Sequence, residues 1–389
     1  MKPLSLAVAT ALLAMAASLP LQAQSAAPDA AMEQRITAHS VVNAGNPARI
    51  QKVLAKAKKG EKVTVAVIGG SITAGASATK PELRYADRIA TWFKTRFPKA
   101  QIELVNAGIG ATGSNYGALR AERDLLGHHP DLVVVEYAVN DPNFKEFAIT
   151  LEGLLRQILK RPQQPGVVLM FMMNNAGGNA QEWHSKVGEH YGIPMLSYRD
   201  ALWPEISDHH LALNDVFADQ VHPNDRGHGY VASFVTSYLE SVLKSRAKAR
   251  IAPLPAPLFT DLYEHPHLYY GKNIQPTANQ GWRYDSAGDF WAATTPGSVL
   301  EADVEGKEVS VLAFRIKGPM GRARVQVDSA PAVTLEGWFD QTWGGYTFTE
   351  PVAKDLPAGK HHIKIEVLAE KAAGSTGTEF RVFGIGSAG

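Results

Sequence analysis

Short apolar runs alternate with amphipathic stretches between residues 62 and 244. The apolar runs are rich in Val, Ile, Leu and Met and are bounded by Gly, Pro, Asn or Asp, a pattern typical of buried strands. They predict strands at residues 63–68, 102–106, 132–137, 167–172 and 194–197. The stretches between them carry apolar residues at helical spacing and predict helices at residues 84–97, 116–126, 144–159, 180–190 and 229–243. This alternation predicts an α/β fold, with a parallel sheet covered by helices on both faces.

The pattern changes near residue 251, where a Pro-rich connector at 251–258 follows the last predicted helix. Prolines at this density can neither continue a helix nor enter a central strand. Beyond the connector the helical spacing disappears, and short runs between turns predict strands at residues 309–316, 323–327, 346–348, 361–367 and 380–383. The sequence therefore predicts two domains, the α/β domain at 46–250 and a smaller, jelly-roll-like all-β sandwich at 259–389.

The N-terminus has the features of an export signal. Lys2 precedes an apolar stretch at 4–19, and Ala23 provides the small residue that a cleavage site needs. The stretch is shorter than a bilayer span, and no later segment is long and apolar enough to cross a membrane. Residues 1–23 are therefore predicted to be a signal peptide, which predicts a protein of the periplasm or the extracellular medium. Residues 24–45, which begin Ala-, Ser- and Pro-rich, are predicted to form a flexible segment.

Composition excludes several classes of function. The chain has 389 residues, a formal net charge of +1 and only short basic stretches, so nucleic acid is not expected as a partner. The lack of cysteine in the sequence excludes disulfides, a thiol nucleophile and thiolate metal sites. Adjacent histidines occur at 128–129, 209–210 and 361–362, but adjacent residues rarely bind one ion together. We therefore expect neither a metal nor another cofactor.

A serine follows the first predicted strand, in the turn Gly-Gly-Ser-Ile-Thr at 69–73. The carboxyl ends of parallel strands meet at the edge of the sheet where such folds bind ligands. The glycines allow a sharp turn that leaves Ser71 exposed, with its own N–H facing developing negative charge. A helix N-cap serine or a phosphate-binding loop shows the same pattern, so the turn alone leaves three interpretations open.

Three further polar clusters follow along the chain. A Gly-rich stretch at 106–114 follows the second predicted strand and brings backbone N–H groups to the same edge. Asn140 follows the third, where its amide can donate to an oxyanion. Asp219 precedes His222 by three residues, so its carboxylate can orient the imidazole while the other ring nitrogen takes a proton from Ser71. Each cluster alone is also typical of a turn, but their order is specific.

On these residues the chain resembles the SGNH (GDSL-like) hydrolase superfamily, over about residues 63–243. The resemblance implies a flavodoxin-like sheet sandwiched by helices, the SGNH hydrolase fold, and a serine esterase. Carried over position by position, it implies a triad of Ser71 as nucleophile, His222 as general base and Asp219 as orienting acid. It also implies an oxyanion hole whose donors are the Ser71 N–H, the Asn140 side chain and a backbone N–H of Gly110 or Ala111.

Some positions depart from the pattern of the superfamily. Gly70 stands where an aspartate is usual, and Ala138 stands where a glycine is usual, which is expected to narrow the floor of the pocket. In the Gly-rich stretch at 106–114, the backbone donor to the oxyanion is either Gly110 or Ala111, since a backbone N–H needs no particular side chain. Glu136 and Asp141 lie near Asn140 and can polarise the site, but hydrogen bonding to neighbouring backbone is the role expected of them.

The all-β domain bears on the substrate. It contains four of the seven tryptophans, whose faces suit sugar rings: Trp282, Trp291, Trp338 and Trp343. The same side chains are also suited to filling the core of a small sandwich. SGNH hydrolases with such a domain resemble carbohydrate esterases, so we expect an acetylated polysaccharide or oligosaccharide, deacetylated through an acyl-enzyme.

Other functions use the same residues. A small-ester or lipid esterase of the lysophospholipase kind and a glycan O-acetyltransferase both remain open. A non-catalytic glycan-binding protein is the least favoured, because Ser71, Asn140, Asp219 and His222 are all retained.

Overall fold

The computed structural model describes residues 30–389, so the predicted signal peptide lies outside the described residues. The first domain is built from helices and strands in alternation. Its helices are α1 (Ala30–His39), α2 (Ala48–Lys58), α3 (Ser71–Ala74), α4 (Tyr85–Arg96), α5 (Ser114–Asp124), α6 (Lys145–Leu159), α7 (Gln181–His190), α8 (Tyr198–Ser207), α9 (Leu213–Val216) and α10 (Asp225–Lys244). Its strands are β1 (Val41–Asn43), β2 (Val63–Gly69), β3 (Ile102–Gly108), β4 (Leu132–Glu136), β5 (Gly166–Phe171) and β6 (Met195–Ser197).

These strands form one sheet in the order β1-β6-β5-β4-β2-β3. Strands β2 to β6 pair in parallel, whereas β1 joins the edge antiparallel to β6. Strand β2 is buried at every position because helices cover both faces of the sheet. Val65 and Val67 pack into the core on one face, and Ala66 and Ile68 pack into the core on the other. The predicted α/β fold is confirmed, with an antiparallel edge strand added.

The prediction of a flexible segment at 24–45 is wrong for the part that the structure describes. Residues 30–39 form α1, and Ile36 on this helix is fully buried in the core. Arg35 makes two hydrogen bonds to Glu205 on α8, of 2.8 and 2.9 Å. The segment therefore belongs to the α/β domain. The sequence does contain a signal for this helix, because Met32 and Ile36 are four residues apart and therefore lie on one helical face. The Ala-rich composition around them obscured it.

The Pro-rich connector has neither helix nor strand at residues 251–257 and runs along the α/β domain. The Pro255 carbonyl accepts a 2.8 Å hydrogen bond from Arg156, and the Ala256 carbonyl lies 2.8 Å from His190 Nε2. The strands that follow are β7 (His267–Tyr270), β8 (Pro276–Gln280), β9 (Arg283–Asp285), β10 (Phe290–Ala293), β11 (Val299–Glu305), β12 (Glu308–Arg315), β13 (Arg322–Val327), β14 (Val333–Glu336), β15 (Tyr346–Ala353), β16 (Lys360–Val367) and β17 (Phe380–Ala388).

The strands β7 to β17 form two antiparallel sheets packed face to face. One has the order β15-β12-β17-β10-β9, with β7 also paired to β17, and the other has the order β14-β13-β16-β11-β8. The core between them contains Val311, Val325 and Ile365. The predicted all-β sandwich is confirmed. Strands β7 to β11 and β14 were not predicted; β8 is mostly exposed and polar, so it lacks the alternation that marks a half-buried strand.

The two domains share a buried interface beside α5. Leu119 on α5 packs so closely against Gly386 on β17 that a Cβ added at Gly386 would lie 2.4 Å from it. The Arg123 guanidinium stacks 4.1 Å from the centre of the Tyr270 ring. At the start of α5, Asn115 donates a 3.3 Å hydrogen bond to the Thr349 carbonyl, so the β-sandwich also reaches the carboxyl edge of the parallel sheet. Within residues 30–389, no helix is long and apolar enough to span a membrane.

Candidate active site

Ser71 lies at the first position of α3, directly after β2, which pairs with β3 and β4. The two preceding glycines have no room for a side chain. A Cβ at Gly69 would lie 2.2 Å from Thr73 Oγ1, and a Cβ at Gly70 would lie 2.2 Å from Asn140 Oδ1. Gly70 therefore lets the amide of Asn140 pack directly against the turn that carries Ser71. In this chain, the aspartate that is usual at position 70 would displace that amide.

The structure brings together the three residues of the predicted triad. Ser71 Oγ lies 2.8 Å from His222 Nε2, and His222 Nδ1 lies 2.7 Å from Asp219 Oδ2. The other carboxylate oxygen of Asp219 accepts 2.8 Å hydrogen bonds from the N–H groups of Val221 and His222. These bonds fix the loop before α10, so the imidazole is held between the serine and the carboxylate. This is the geometry in which a histidine can deprotonate a serine hydroxyl.

The charge of Asp219 suits that arrangement. Partial burial alone would raise the pKa of this carboxyl, but hydrogen bonds from the backbone N–H groups of His222 and Val221 and from the imidazole outweigh it. The pKa of Asp219 therefore lies below its ordinary value. An anion at this position stabilises the imidazolium that forms when His222 accepts a proton.

The predicted oxyanion donors surround Ser71. A Cβ at Gly110 would lie 3.8 Å from Ser71 Cβ, so this glycine is in contact range of the serine. Ala111 follows with a left-handed backbone (φ of 56°) and lines a cleft together with Asn140. The neighbouring Ile109 N–H is already bound to the Gly69 carbonyl at 3.0 Å. The choice between Gly110 and Ala111 as donor stays a prediction.

The cleft beside these donors is small, about 150 Å³ in volume. Ala111, Gly113 and Asn140 line it from the α/β domain, and residues 347–349 of β15 line it from the β-sandwich. The β-sandwich therefore forms one wall of the cleft. Sequence reasoning missed this wall, because nothing in residues 347–349 resembles a motif and only the packing of the two domains brings them here.

A larger cavity of about 870 Å³ adjoins the small cleft between the two domains. The two spaces share Asn115, Phe147 and Thr349 in their walls. The side chain of Phe144, which is 63% exposed, lies at the surface of the larger cavity. A bulky group attached to a small acyl group therefore has space next to the cleft.

Three of the four tryptophans of the β-sandwich are buried or half-buried. Trp282 is 4% exposed and belongs to the core, and Trp291 donates a 3.1 Å hydrogen bond to the Gly271 carbonyl. Trp343, in contrast, is 60% exposed. It stacks on Tyr346, with ring centres 5.6 Å apart, and Tyr346 directly precedes the cleft wall. Of the four, Trp343 presents an open aromatic face.

The histidines at 361–362 pair with carboxylates on the β-sandwich. His361 Nδ1 lies 2.6 Å from Asp328 Oδ2, and His362 Nδ1 lies 3.0 Å from Asp303 Oδ1. Throughout residues 30–389, no three His, Asp or Glu side chains are grouped so that they could hold a metal ion.

The model of the GDSL-like lipase/acylhydrolase family matches residues 67–230. A crystal structure of a two-domain esterase (CEX) active on acetylated mannans is 32% identical, with a TM-score of 0.85, and the match covers 90% of this chain and 98% of that one. A structure of such an esterase co-crystallised with mannopentaose is 31% identical, with a TM-score of 0.83 and coverage of 90% and 97%. Among curated proteins, no sequence matches this chain. The chain therefore belongs to the GDSL-like lipase/acylhydrolase family and is a carboxylic ester hydrolase with an appended β-sandwich.

Proposed function

We propose that this esterase removes O-acetyl groups from an acetylated mannan or its oligosaccharides, with Ser71, His222 and Asp219 as its catalytic triad. The observation that carries the proposal is the hydrogen-bonded array of these three residues beside a small cleft walled by both domains. The likeness to a two-domain esterase active on acetylated mannans, which extends over both domains, supports the choice of substrate.

The reaction follows from the geometry of the triad. Ser71 Oγ attacks the acetyl carbonyl carbon while His222 Nε2 takes its proton, and Asp219 stabilises the resulting imidazolium. The oxyanion accepts hydrogen bonds from the Ser71 N–H, the Asn140 amide and a backbone N–H of Gly110 or Ala111, each worth about 3 kcal/mol. His222 then protonates the departing sugar hydroxyl. Water repeats the sequence on the acetyl-enzyme and releases acetate.

The sizes of the two spaces support an acetyl ester of a bulky alcohol. The small cleft of about 150 Å³ suits a short acyl group, whereas a long fatty acyl chain would exceed it. The adjoining cavity of about 870 Å³ suits several sugar residues. The exposed rings of Phe144 and Trp343 offer apolar faces on which sugar rings can stack. This combination favours a glycan over a lipid.

Export belongs to the same proposal. Residues 1–23 would direct the protein to the periplasm or the extracellular medium, where polymeric or fragmented glycans are encountered. N-terminal sequencing of the protein purified from outside the cytoplasm tests this: a mature chain that begins near residue 24 is expected, and an intact Met1 contradicts it.

The substrate is tested by acetate release from acetylated mannan, xylan, xyloglucan and pectin, compared with hydrolysis of 4-nitrophenyl acetate and a long-chain 4-nitrophenyl ester. We expect the highest kcat/KM on mannan and almost none on the long-chain ester. Ser71→Ala is expected to abolish every activity, whereas Ser207→Ala, a surface serine on α8, serves as the matched control. Faster action on the long-chain ester, or equal action on all four glycans, contradicts the proposal. Transfer of acetyl to an added oligosaccharide without acetate release would indicate a transferase instead.

A further inference from the structure

The peptide group that joins Gly69 to Gly70 lies between two buried ionisable side chains, Arg120 and Glu136. Its carbonyl accepts a 3.3 Å hydrogen bond from Arg120 Nη2, besides the 3.0 Å bond from the Ile109 N–H. Its N–H lies next to the carboxyl group of Glu136, which accepts a 3.2 Å hydrogen bond through Oε2 from the Thr73 hydroxyl on α3. This peptide directly precedes Ser71, so its orientation sets the direction in which the Ser71 N–H and Oγ point.

Arg120 reaches the turn from α5 and is fully buried. Its guanidinium also donates to the Tyr137 hydroxyl at 3.0 Å and to Asp124 at 3.1 Å. A buried ion pair is weak evidence for stability, because apolar residues of similar volume often stabilise a core as well or better. The guanidinium instead offers donors in a fixed planar geometry, which suits the exact placement of a backbone carbonyl.

Glu136 reaches the turn from the end of β4 and is also fully buried. Its hydrogen-bond partner at the turn is neutral: the Thr73 hydroxyl lies 3.2 Å from Oε2 and 2.8 Å from the Tyr85 hydroxyl. Among the described residues, the other carboxyl oxygen, Oε1, is buried without a hydrogen-bond partner. Burial, reinforced by the nearby Asp141 carboxylate, raises the pKa of Glu136 to about 8. Glu136 is therefore an uncharged acid at neutral pH, and it places no negative charge behind the forming oxyanion.

We propose that Arg120 and Glu136 are positioning residues that form a clamp on the turn that carries Ser71, Arg120 through the Gly69 carbonyl and Glu136 through the Thr73 hydroxyl. The clamp orients Ser71 for attack and for oxyanion binding. The proposal rests on the proposed function only in that Ser71 is the nucleophile. It does not depend on which ester is cleaved. Neither residue belongs to the triad, and both act through the turn that carries Ser71.

The clamp has a consequence at alkaline pH. When Glu136 ionises, it brings a negative charge behind Ser71 and opposes the developing oxyanion. The groups that face it are the Tyr85 hydroxyl through Thr73, Asp141 from the following loop and Tyr137 with its partner Arg120. Glu136→Gln keeps an oxygen that can accept from the Thr73 hydroxyl but cannot ionise. We expect kcat of the wild type to fall above pH 8 and kcat of Glu136→Gln to keep its value there.

The experiment measures kcat and KM for 4-nitrophenyl acetate, with active sites counted by a fluorophosphonate that labels the reactive serine. For Arg120→Met we expect kcat per labelled serine to fall about 10- to 100-fold with KM nearly unchanged, since small displacements of a reacting group cost this much. Arg120→Lys is expected to restore part of the rate. Arg96→Met, on α4 and paired with Glu240 at the surface, is the control and is expected to act like the wild type.

Wild-type kcat in folded Arg120→Met, or the same alkaline fall in Glu136→Gln as in the wild type, overturns the proposal. If Arg120→Met does not fold, as judged by its thermal transition, Arg120→Lys and Glu136→Gln decide: wild-type behaviour of both overturns it, and a lowered kcat or an altered pH profile supports it. Failure of the triad assignment has a different signature, namely activity that survives in Ser71→Ala.

Discussion

The two domains contribute differently to the cleft beside Ser71. The α/β domain provides every group proposed to react, from loops at the carboxyl ends of β2, β3 and β4 and from the loop before α10. The β-sandwich provides residues 347–349 as a wall and Trp343 as an exposed aromatic face. We infer that chemistry belongs to one domain and the choice of substrate to both. Substitutions at the reacting groups of the α/β domain are expected to lower the hydrolysis of all esters alike. Substitutions in the β-sandwich are expected to lower only the hydrolysis of acetylated glycans.

This division of roles is not a physical separation. Tyr263, Leu312 and Ala388 lie in the same buried core as Leu119 on α5. A shared apolar core holds two domains in a fixed relation, unlike a flexible linker. Deletion of the β-sandwich would expose that core and disturb α5, so point substitutions separate the two roles more cleanly than truncation does.

The largest effect is expected from the triad. His222→Ala removes the proton acceptor of Ser71, so kcat is expected to fall by about four orders of magnitude on 4-nitrophenyl acetate and on acetylated mannan alike. His190→Ala, on α7 and remote from Ser71 in the fold, is the control. A loss on mannan with normal hydrolysis of 4-nitrophenyl acetate would place His222 in substrate binding and break the comparison between the domains.

A smaller loss is expected from Gly70→Ala, again on both substrates. The added Cβ would lie 2.2 Å from Asn140 Oδ1, so the amide must move away from the oxyanion. Removal of one oxyanion donor costs about 10²- to 10³-fold in kcat, and displacement is expected to cost up to that much. Gly318→Ala, where an added Cβ meets nothing within 4 Å, is the matched control in the β-sandwich. Unchanged kcat in Gly70→Ala contradicts the role given to Asn140.

Trp343→Ala is expected to separate the two substrates. Loss of an open ring face on which a sugar stacks should raise KM for acetylated mannan about tenfold, as a contact worth about 1.4 kcal/mol would. Hydrolysis of 4-nitrophenyl acetate is expected to stay unchanged, because the ring lies outside the small cleft. Val41→Ala removes another exposed apolar side chain, on the α/β domain, and is the control. Equal effects of Trp343→Ala on both substrates contradict a role in glycan binding.

The sequence predicted the reacting groups of the α/β domain far better than the part of the cleft wall that the β-sandwich provides. Ser71, Asn140 and His222 could be found because each follows a recognisable strand or lies in a short motif, and parallel strands bring their carboxyl ends together. The wall at residues 347–349 could not be found, since it depends on how β15 is placed against α5, where Asn115 and Thr349 meet although they are 234 positions apart in the chain. Arg120 was missed for a similar reason: a charged residue on an amphipathic helix is typical of a solvent-facing position, and only the packing of α5 buries it.

The smallest effect concerns the stability of the β-sandwich with pH. The hydrogen bond that His361 donates to Asp328 is the main cause that raises the pKa of His361. The hydrogen bond from the His362 backbone N–H and then the one from His361 lower the pKa of Asp328. A histidine whose pKa is higher in the folded state stabilises it below the unfolded pKa, and this contribution is lost as pH rises through the folded pKa. The thermal midpoint is therefore expected to fall by about 2 °C between pH 6 and pH 8 from this pair. Asp328→Asn is expected to remove that part of the slope while the activity of the α/β domain stays normal. A thermal midpoint that rises between pH 6 and pH 8 contradicts this prediction. So does a pH dependence of the midpoint that is the same in Asp328→Asn as in the wild type, because the pair then does not couple protonation to folding. If the slope disappears and kcat remains normal, the pair stabilises the β-sandwich without touching the chemistry at Ser71, and the division between the domains extends from function to stability.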